Sequence, residues 1–125
     1  MSDTKRTILI VDDEVDLCKI ISWDFEDSNF NVLIAHSGQD AFKIFEENHI
    51  DVLLSDIKMP HGDGVELVRN ICASEKKIKY IFLMTGYADY SEESLKEIGI
   101  KKLFQKPIDT DVILEYIEGL FKAEE

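Results

Sequence analysis

Polar side chains that can bind a metal ion or an anion follow four apolar segments of this sequence, at the point where each segment ends. These residues are Asp12, Asp13 and Glu14 after the first segment, Asp56 after the third, Thr85 and Gly86 after the fourth, and Lys106 after the fifth. Clustered carboxylates repel one another, which raises their pKa values and destabilises a fold unless a cation joins them. A hard divalent cation such as Mg²⁺ (or Mn²⁺) binds oxygen ligands and offsets that charge.

The remaining polar groups of this set suit an anion with several oxygens. Lys106 supplies a compact positive charge, Thr85 a hydroxyl that donates or accepts, and Gly86 a free backbone N–H. Together with a divalent cation, these groups would bind the oxygens of a phosphoryl group. Asp56 is then either a further metal ligand or a nucleophile, because carboxylates can accept a phosphoryl group covalently.

Helix capping is the alternative explanation for the aspartates. An Asp at a strand end is often the N-cap of the next helix, so Asp12 or Asp13 could cap the first helix. A single Lys-Pro or Thr-Gly pair is also a weak signal. The site is favoured because all of these residues follow the carboxyl ends of apolar segments and none precedes an amino end.

The apolar segments have the length of β-strands and alternate with amphipathic stretches of helix length. They span residues 7–11, 31–35, 51–55, 80–84 and 102–105, and the first four are almost continuously apolar. Such strands are typical of a parallel sheet with both faces covered. The alternation predicts a three-layer α/β fold with right-handed crossovers. Ligands of an open parallel sheet bind beyond the carboxyl ends of its strands, where the polar residues fall.

The helical segments show apolar faces and start signals. Ser37 and Asp109 are predicted to be the N-caps of the second and fifth helices. Trp23 lies off the apolar face of the first helix, so rim packing is expected, with an exposed docking patch for a partner protein as the alternative. The buried face of that helix is predicted to contain Leu17, Ile20, Ile21 and Phe25.

The composition limits the classes of partner. The 125 residues include 14 Lys and Arg against 26 Asp and Glu, which gives a net charge of −12. This balance argues against direct binding to nucleic acid or to an anionic membrane, although acidic residues also serve solubility alone. The sequence shows no signal peptide and no segment near the ~20 apolar residues that span a bilayer, which predicts a cytoplasmic protein. Cys18 and Cys72 are predicted to be buried free thiols.

Four motifs resemble the response-regulator receiver domain of two-component signalling, of the chemotaxis-regulator type. They are V-D-D-E at 11–14, S-D-I-K-M-P at 55–60 with G-D-G at 62–64, M-T-G-Y at 84–87, and Q-K-P at 105–107. The motifs occur in the order and spacing of that family. The resemblance implies one receiver domain over residues 1–125, with its core at about 7–121.

The resemblance implies a flavodoxin-like α/β fold, with five helices and a five-stranded parallel sheet in the order 2-1-3-4-5. Asp56 is implied to accept a phosphoryl group, Lys106 to pair with its oxygens, and Thr85 to hydrogen-bond to one of them. The peptide between Lys106 and Pro107 is expected to be cis. The implied ligands of Mg²⁺ are Asp13 and Asp56 directly, Asp12 through water, and the backbone carbonyl of Lys58.

The resemblance also implies partners. A sensor histidine kinase or a histidine phosphotransfer protein would supply the phosphoryl group from a phosphohistidine. Phosphorylation would reshape the loop at 86–90 and the face formed by the fourth helix, fifth strand and fifth helix. That face would contact a downstream protein target. The domain would catalyse only its own phosphorylation and dephosphorylation, and would not be an enzyme for other substrates.

The sequence departs from the family at one switch position. The family often has an aromatic residue three positions before the lysine, where this chain has Leu103. Phe104 cannot replace it, because neighbouring residues of a strand point to opposite faces of the sheet. Phe104 is therefore predicted to lie in the core, and no aromatic ring is expected to move with Thr85.

Three other functions fit parts of the pattern. A phosphatase of the haloacid-dehalogenase type also uses Mg²⁺ and a nucleophilic Asp, but Lys58 stands where its second Asp is needed. A flavodoxin-like flavin-binding protein needs a phosphate loop rich in Ser, Thr and Gly, whereas Asp12, Asp13 and Glu14 follow the first strand here. A structural interaction module with a vestigial site is the third, although no site residue is missing.

Overall fold

The computed structural model describes residues 5–87 and 90–125, in which five strands alternate with five helices. The strands are β1 (Arg6–Val11), β2 (Phe30–Ala35), β3 (Val52–Asp56), β4 (Tyr80–Thr85) and β5 (Lys102–Gln105). The helices are α1 (Val15–Asp27), α2 (Gly38–Glu47), α3 (Gly64–Ala73), α4 (Glu92–Glu97) and α5 (Thr110–Ala123). All strand pairings are parallel, in the order β2-β1-β3-β4-β5. The predicted flavodoxin-like α/β fold is confirmed.

The central strands are apolar throughout because both faces of the sheet are covered. Neighbouring side chains of a strand alternate between the two faces. On β1, Leu9 and Val11 join the core that α2, α3 and α4 cover, whereas Ile8 and Ile10 join the core beneath α1 and α5. All four side chains are fully buried. The sheet is therefore rigidly held between two helical layers, which fixes the positions of its strand ends.

Several of the helices have an N-cap residue whose side chain accepts a hydrogen bond from the first turn. Ser37 caps α2 and Asp109 caps α5, as the sequence predicts. Helix α1 begins without such a cap, since Glu14 occupies the N-cap position and makes no side-chain cap hydrogen bond. The capping alternative for Asp12 and Asp13 is therefore wrong, and both carboxylates lie at the edge of the sheet.

Helix α1 differs from its predicted amphipathic pattern. Ile20 is predicted on the buried face but is 52% exposed, whereas Cys18 is fully buried beside Ile21. Trp23 is 60% exposed, so the rim packing predicted for it is wrong. Cys18 is a buried thiol as predicted, but Cys72, near the C-terminal end of α3, is exposed. None of the described helices is long and apolar enough to cross a lipid bilayer.

Glycines fix the loop between β3 and α3 against its neighbours. The backbone N–H of Gly38 donates to the carbonyl of Gly62 at 3.0 Å, and a Cβ on Gly38 would lie 2.6 Å from that oxygen. A Cβ on Gly64 would lie 2.3 Å from the carbonyl oxygen of Asp56. Gly62 also has a φ of +102°, which L side chains rarely adopt. These close approaches keep the loop that contains Lys58 against the end of β3.

Candidate functional site

The carboxyl ends of four strands bring the predicted site residues together at one edge of the sheet. Asp12 and Asp13 follow β1, Asp56 and Thr85 are the last residues of β3 and β4, and Lys106 follows β5. The sequence pattern predicts that Asp56 and Thr85 directly follow their strands, so the predicted and observed strand ends differ by one residue. Asp12, Asp56 and Thr85 are buried, whereas Asp13 is exposed. The site therefore opens to solvent at Asp13.

Three carboxylates form a cluster at this edge. One oxygen from each of Asp12, Asp13 and Asp56 lies within 4.8 Å of the other two. Carboxylate oxygens are the ligands that Mg²⁺ and Mn²⁺ prefer, and this spacing lets one ion lie between them. The cluster fits a divalent cation. Within residues 5–87 and 90–125, no other group of three His, Cys, Asp or Glu side chains converges in this way.

Asp56 combines burial with contacts on both of its oxygens. The residue is 7% exposed, Oδ1 accepts a hydrogen bond from the Ile57 N–H at 2.9 Å, and Oδ2 accepts one from Lys106 at 3.2 Å. The pKa of Asp56 is raised to about 6, because burial and the charge of Asp12 together outweigh the opposing effects of Lys106 and the Ile57 N–H. At neutral pH the carboxylate is ionised but poorly solvated, which is the state of an effective nucleophile.

Lys106 contacts three carboxylates at once. Its Nζ lies 2.9 Å from Asp12 Oδ2, 3.2 Å from Asp56 Oδ2 and 3.2 Å from Glu14 Oε2. Burial by itself lowers the pKa of Lys106, but the hydrogen bond to Asp12 and the charges of Asp56 and Asp12 outweigh it, so that this pKa lies above its ordinary value. The ammonium group therefore stays charged beside Asp56. The peptide between Lys106 and Pro107 is cis, as expected.

Thr85 connects the site to the loop after β4. Its Oγ1 accepts a hydrogen bond from the backbone N–H of Tyr87 at 3.0 Å. The same hydroxyl can donate its own hydrogen to an anion at the sheet edge. Gly86 follows Thr85 and is exposed. Ala88 and Asp89, in the loop that is predicted to reshape, lie outside the described residues.

An open cleft of about 500 Å³ lies over these groups. Lys58 and Tyr87 form one wall, with Lys58 Nζ 5.5 Å from the centre of the Tyr87 ring, a cation–π distance. Lys58 thus lies beside Asp56 in the same cleft, and the ligand role of its carbonyl stays a prediction. The residues that line the cleft are Asp13, Glu14, Asp56, Lys58, Gly86, Tyr87 and Lys106.

Two residues that sequence reasoning did not assign to the site contact the backbone of Asp12. The carbonyl oxygen of Asp12 lies 2.8 Å from His36 Nδ1 and 3.3 Å from Cys18 Sγ. The strand register is the signal that could have indicated His36. Because β1 and β2 pair Val11 with Ala35, the next residues, Asp12 and His36, leave the sheet side by side.

Comparison with known proteins matches residues 8–118 to the response regulator receiver domain. Sporulation initiation phosphotransferase F of Bacillus subtilis is 32% identical over 113 residues, which cover 89% of this chain and 90% of that protein. The CAI-1 autoinducer sensor kinase/phosphatase CqsS of Vibrio cholerae is 32% identical over 90% of this chain, which spans 17% of CqsS. Transcriptional regulatory protein ZraR of Salmonella typhimurium is 34% identical, and the chain spans 26% of it.

Solved structures show the same fold. Response regulator protein TrrA of Thermotoga maritima, in complex with Mg²⁺-BeF, has a TM-score of 0.81 at 25% identity, covering 92% of this chain and 98% of that one. A chain of the CheX-CheY-BeF3-Mg²⁺ complex of Borrelia burgdorferi has a TM-score of 0.85 at 26% identity, covering 93% of this chain and 89% of that one.

Proposed function

The chain belongs to the response regulator receiver domain family, and we propose that it is a phosphoacceptor switch with Asp56 as the acceptor. Receiver domains are signalling switches of two-component systems rather than enzymes that turn over other substrates. The observation that supports the proposal most is the position of Lys106 Nζ, 2.9 Å from Asp12 and 3.2 Å from Asp56. A fixed cation thus lies beside a buried, ionised carboxylate. Residues 1–125 would form a single receiver domain with its core at about 7–121.

In the proposed reaction, a carboxylate oxygen of Asp56 attacks the phosphorus of a phosphohistidine on a partner protein. An O–P bond forms, the N–P bond breaks, and the electron pair leaves with the imidazole nitrogen. Lys106 offsets the charge on the phosphoryl oxygens, while the Thr85 hydroxyl and the Gly86 N–H donate hydrogen bonds to them. Phosphoryl transfer needs mainly such positioning and charge stabilisation. Attack of water on the same phosphorus releases phosphate and restores Asp56.

The carboxylate cluster supports a magnesium requirement. Asp13 and Asp56 would bind Mg²⁺ (or Mn²⁺) directly, Asp12 through water, and Lys58 through its backbone carbonyl. When bound, the ion supplies positive charge to the oxygens of the transferring phosphoryl group. The similar Thermotoga protein was solved in complex with Mg²⁺-BeF, which supports the magnesium requirement.

Exposed apolar residues of α1 support docking of a phosphodonor protein. Val15, Ile20 and Trp23 are 48%, 52% and 60% exposed, and Val112 of the adjacent α5 is 54% exposed. We call these four residues the α1 patch. Exposed apolar side chains grouped on one surface are typical of contact sites, and Trp is enriched among the residues that contribute most to binding. Val15 directly follows Glu14 of the cleft, so a sensor histidine kinase or histidine phosphotransfer protein on this patch would place its histidine near Asp56.

The output surface of the proposal is the face formed by α4, β5 and α5, which would contact a downstream protein target. Thr85 and Lys106 lie at the carboxyl ends of β4 and β5, the strands nearest that face. A phosphoryl group that draws on both residues would therefore act on it directly. The net charge of −12 disfavours direct contact with nucleic acid or an anionic membrane. The cytoplasmic location stays a prediction.

Phosphorylation with a small phosphodonor tests the proposed acceptor. Acetyl phosphate with Mg²⁺ is expected to add one phosphoryl group that is stable in acid and labile in base, measured by intact-protein mass spectrometry. Asp56→Asn should abolish it, whereas Asp40→Asn, an exposed aspartate on α2, should not. Undiminished phosphorylation of the Asp56 variant would place the acceptor elsewhere. Continuous release of phosphate from many small phosphate esters would instead favour the phosphatase alternative.

A further inference from the structure

The carbonyl oxygen of Asp12 is held by two side chains from different elements. His36, directly after β2, approaches it with Nδ1 at 2.8 Å, and Cys18 of α1 approaches it with Sγ at 3.3 Å. Asp12 and Cys18 are both fully buried. Buried carbonyl groups need hydrogen-bond partners, and at the end of a strand the sheet no longer supplies them. The two side chains therefore take the place of a strand partner.

The hydrogen positions in this cluster follow from the acceptor. A carbonyl oxygen only accepts, so Nδ1 of His36 must bear the hydrogen that it shares with Asp12. His36 Nδ1 also lies 3.9 Å from Cys18 Sγ. Because that nitrogen is already a donor to Asp12, it is not a base for the thiol. Burial and the charge of Asp12 raise the pKa of Cys18 to about 12, so the thiol stays protonated and donates as well. A nucleophilic Cys–His pair is thereby excluded.

Asp12 is constrained at every polar atom. Its N–H donates to the carbonyl of Ala35 at 3.1 Å, Oδ1 accepts from the Glu14 N–H at 3.0 Å, and Oδ2 accepts from Lys106 at 2.9 Å. The two contacts to its carbonyl oxygen restrict rotation of the peptide plane between Asp12 and Asp13. The direction of that peptide determines where the Asp13 carboxylate lies relative to the other members of the cluster.

We propose that His36, assisted by Cys18, is a positioning residue for the divalent-cation site, and that it acts by orienting the peptide between Asp12 and Asp13. This inference rests on the proposed function. It adds a residue that neither donates to a phosphoryl group nor ligates the ion. Replacing groups that hydrogen-bond to metal ligands and orient them typically lowers metal affinity by about 10–100-fold.

Matched variants of His36 test the inference. Leu and Asn have side chains of nearly the same shape, but only Asn has a nitrogen donor at the position of Nδ1. His36→Leu is expected to weaken Mn²⁺ binding about tenfold, measured by electron paramagnetic resonance of the free ion. His36→Asn, which keeps the donor, should bind Mn²⁺ nearly as tightly as the parent protein. His49→Leu is the control, because His49 lies beyond the amino end of β3 and pairs with Asp51.

A second measurement needs no metal. Hydrogen bonding to a carbonyl shifts the nitrogen resonance of the next amide, so the ¹⁵N signal of Asp13 reports contacts to the Asp12 carbonyl. Without metal, His36→Leu should shift this signal and His36→Asn should largely restore it. Cys18→Ala and Cys18→Ser form a second pair with the same logic. Unchanged Mn²⁺ affinity in His36→Leu, or equal loss in the Asn variant, would overturn the inference. If the parent protein binds no Mn²⁺, the proposed function fails, while the Asp13 signal still tests the contact.

Discussion

The carboxylate of Glu92 accepts a 2.9 Å hydrogen bond from the backbone N–H of Leu103, which joins α4 to β5. Among the described strands, β5 lies at the edge of the sheet and pairs with β4 alone. The Leu103 N–H lies on the side of β5 away from β4, where without Glu92 it would be exposed to solvent or available to pair with another strand. Glu92 Oε2 also lies 3.9 Å from Lys102 Nζ. The start of α4 is thus fastened to the centre of the proposed output face.

Removing this contact should expose the edge of β5. Glu92→Ala is expected to speed amide hydrogen exchange at Leu103 by about tenfold, since a hydrogen bond to a charged group contributes roughly 1.5–3 kcal/mol. Glu92→Gln retains an acceptor oxygen and should change exchange less. Glu93→Ala, at the exposed neighbouring position of the same helix, is the control. Identical Leu103 exchange rates in the Glu92 and Glu93 variants would show that the contact does not persist in solution.

Mg²⁺ should stabilise the fold by relieving repulsion within the carboxylate cluster. A ligand at 100 times its dissociation constant adds about 2.7 kcal/mol to the free energy of unfolding. A higher melting temperature in Mg²⁺ than in chelator is therefore expected for the parent protein. Asp13→Asn should remove most of the difference, and Asp40→Asn should preserve it. Equal melting temperatures in Mg²⁺ and in chelator would argue against the metal site.

The metal-free protein should lose stability as the pH rises past the pKa of Asp56. Burial raises that pKa to about 6, whereas an unfolded aspartate titrates near ~3.9. Between these values the folded state binds more protons than the unfolded state, so the free energy of unfolding falls with increasing pH. Asp56→Asn removes this dependence. The variant should match the parent near pH ~4 and exceed it by about 2–3 kcal/mol above pH ~7, since a pKa of about 6 already includes the attraction of Lys106.

Urea unfolding in chelator across this pH range measures the effect. Asp40→Asn, an exposed aspartate, should keep the pH dependence of the parent protein. A variant at Asp56 that is less stable than the parent by the same amount at every pH would contradict the prediction. That outcome would mean that contacts to Lys106 and Ile57, rather than burial of charge, determine the contribution of Asp56.

Much of the site follows from sequence because a parallel sheet collects its carboxyl ends. Asp56, Thr85 and Lys106 are far apart along the chain, but each ends or follows an apolar strand. The topological rule that ligands bind at this edge then places them together without any distance information. The motif resemblance added the strand order, which the structure confirms. Leu103 and Phe104 are both buried, in the separate cores on the two faces of the sheet, as strand alternation predicts.

The contacts that the sequence does not indicate depend on register and on which helix face meets the sheet. His36 contacts Asp12 because the register of β1 and β2 pairs the residues before them, Val11 and Ala35. The rotation of α1 about its own axis buries Cys18 against the sheet and leaves Ile20 exposed, although Ile is the more hydrophobic residue. Packing of the whole helix, with Ile21 and Phe25 fully buried, determines that rotation. Local apolar patterns do not contain this information.

Activation should depend on Thr85 and not on Leu103. The Thr85 hydroxyl accepts from the Tyr87 N–H at 3.0 Å, so movement of Thr85 toward a phosphoryl oxygen changes the loop after β4 directly. Leu103 is 8% exposed and belongs to the apolar core with Leu83 and Leu95. Truncating it should cost about 2–4 kcal/mol of stability without removing a hydrogen bond of the site.

Amide chemical shifts with and without beryllofluoride and Mg²⁺ distinguish the two roles. In the parent protein, the phosphoryl analogue should shift the signals of Gly86, Tyr87 and Tyr90, as expected when a ligand favours one of two existing states. Thr85→Ala should abolish these shifts while Asp56 still accepts a phosphoryl group from acetyl phosphate. Leu103→Ala should keep them. If Leu103→Ala removes the shifts as completely as Thr85→Ala does, while remaining folded, the aliphatic residue is itself part of the switch and the proposed independence of Thr85 is wrong.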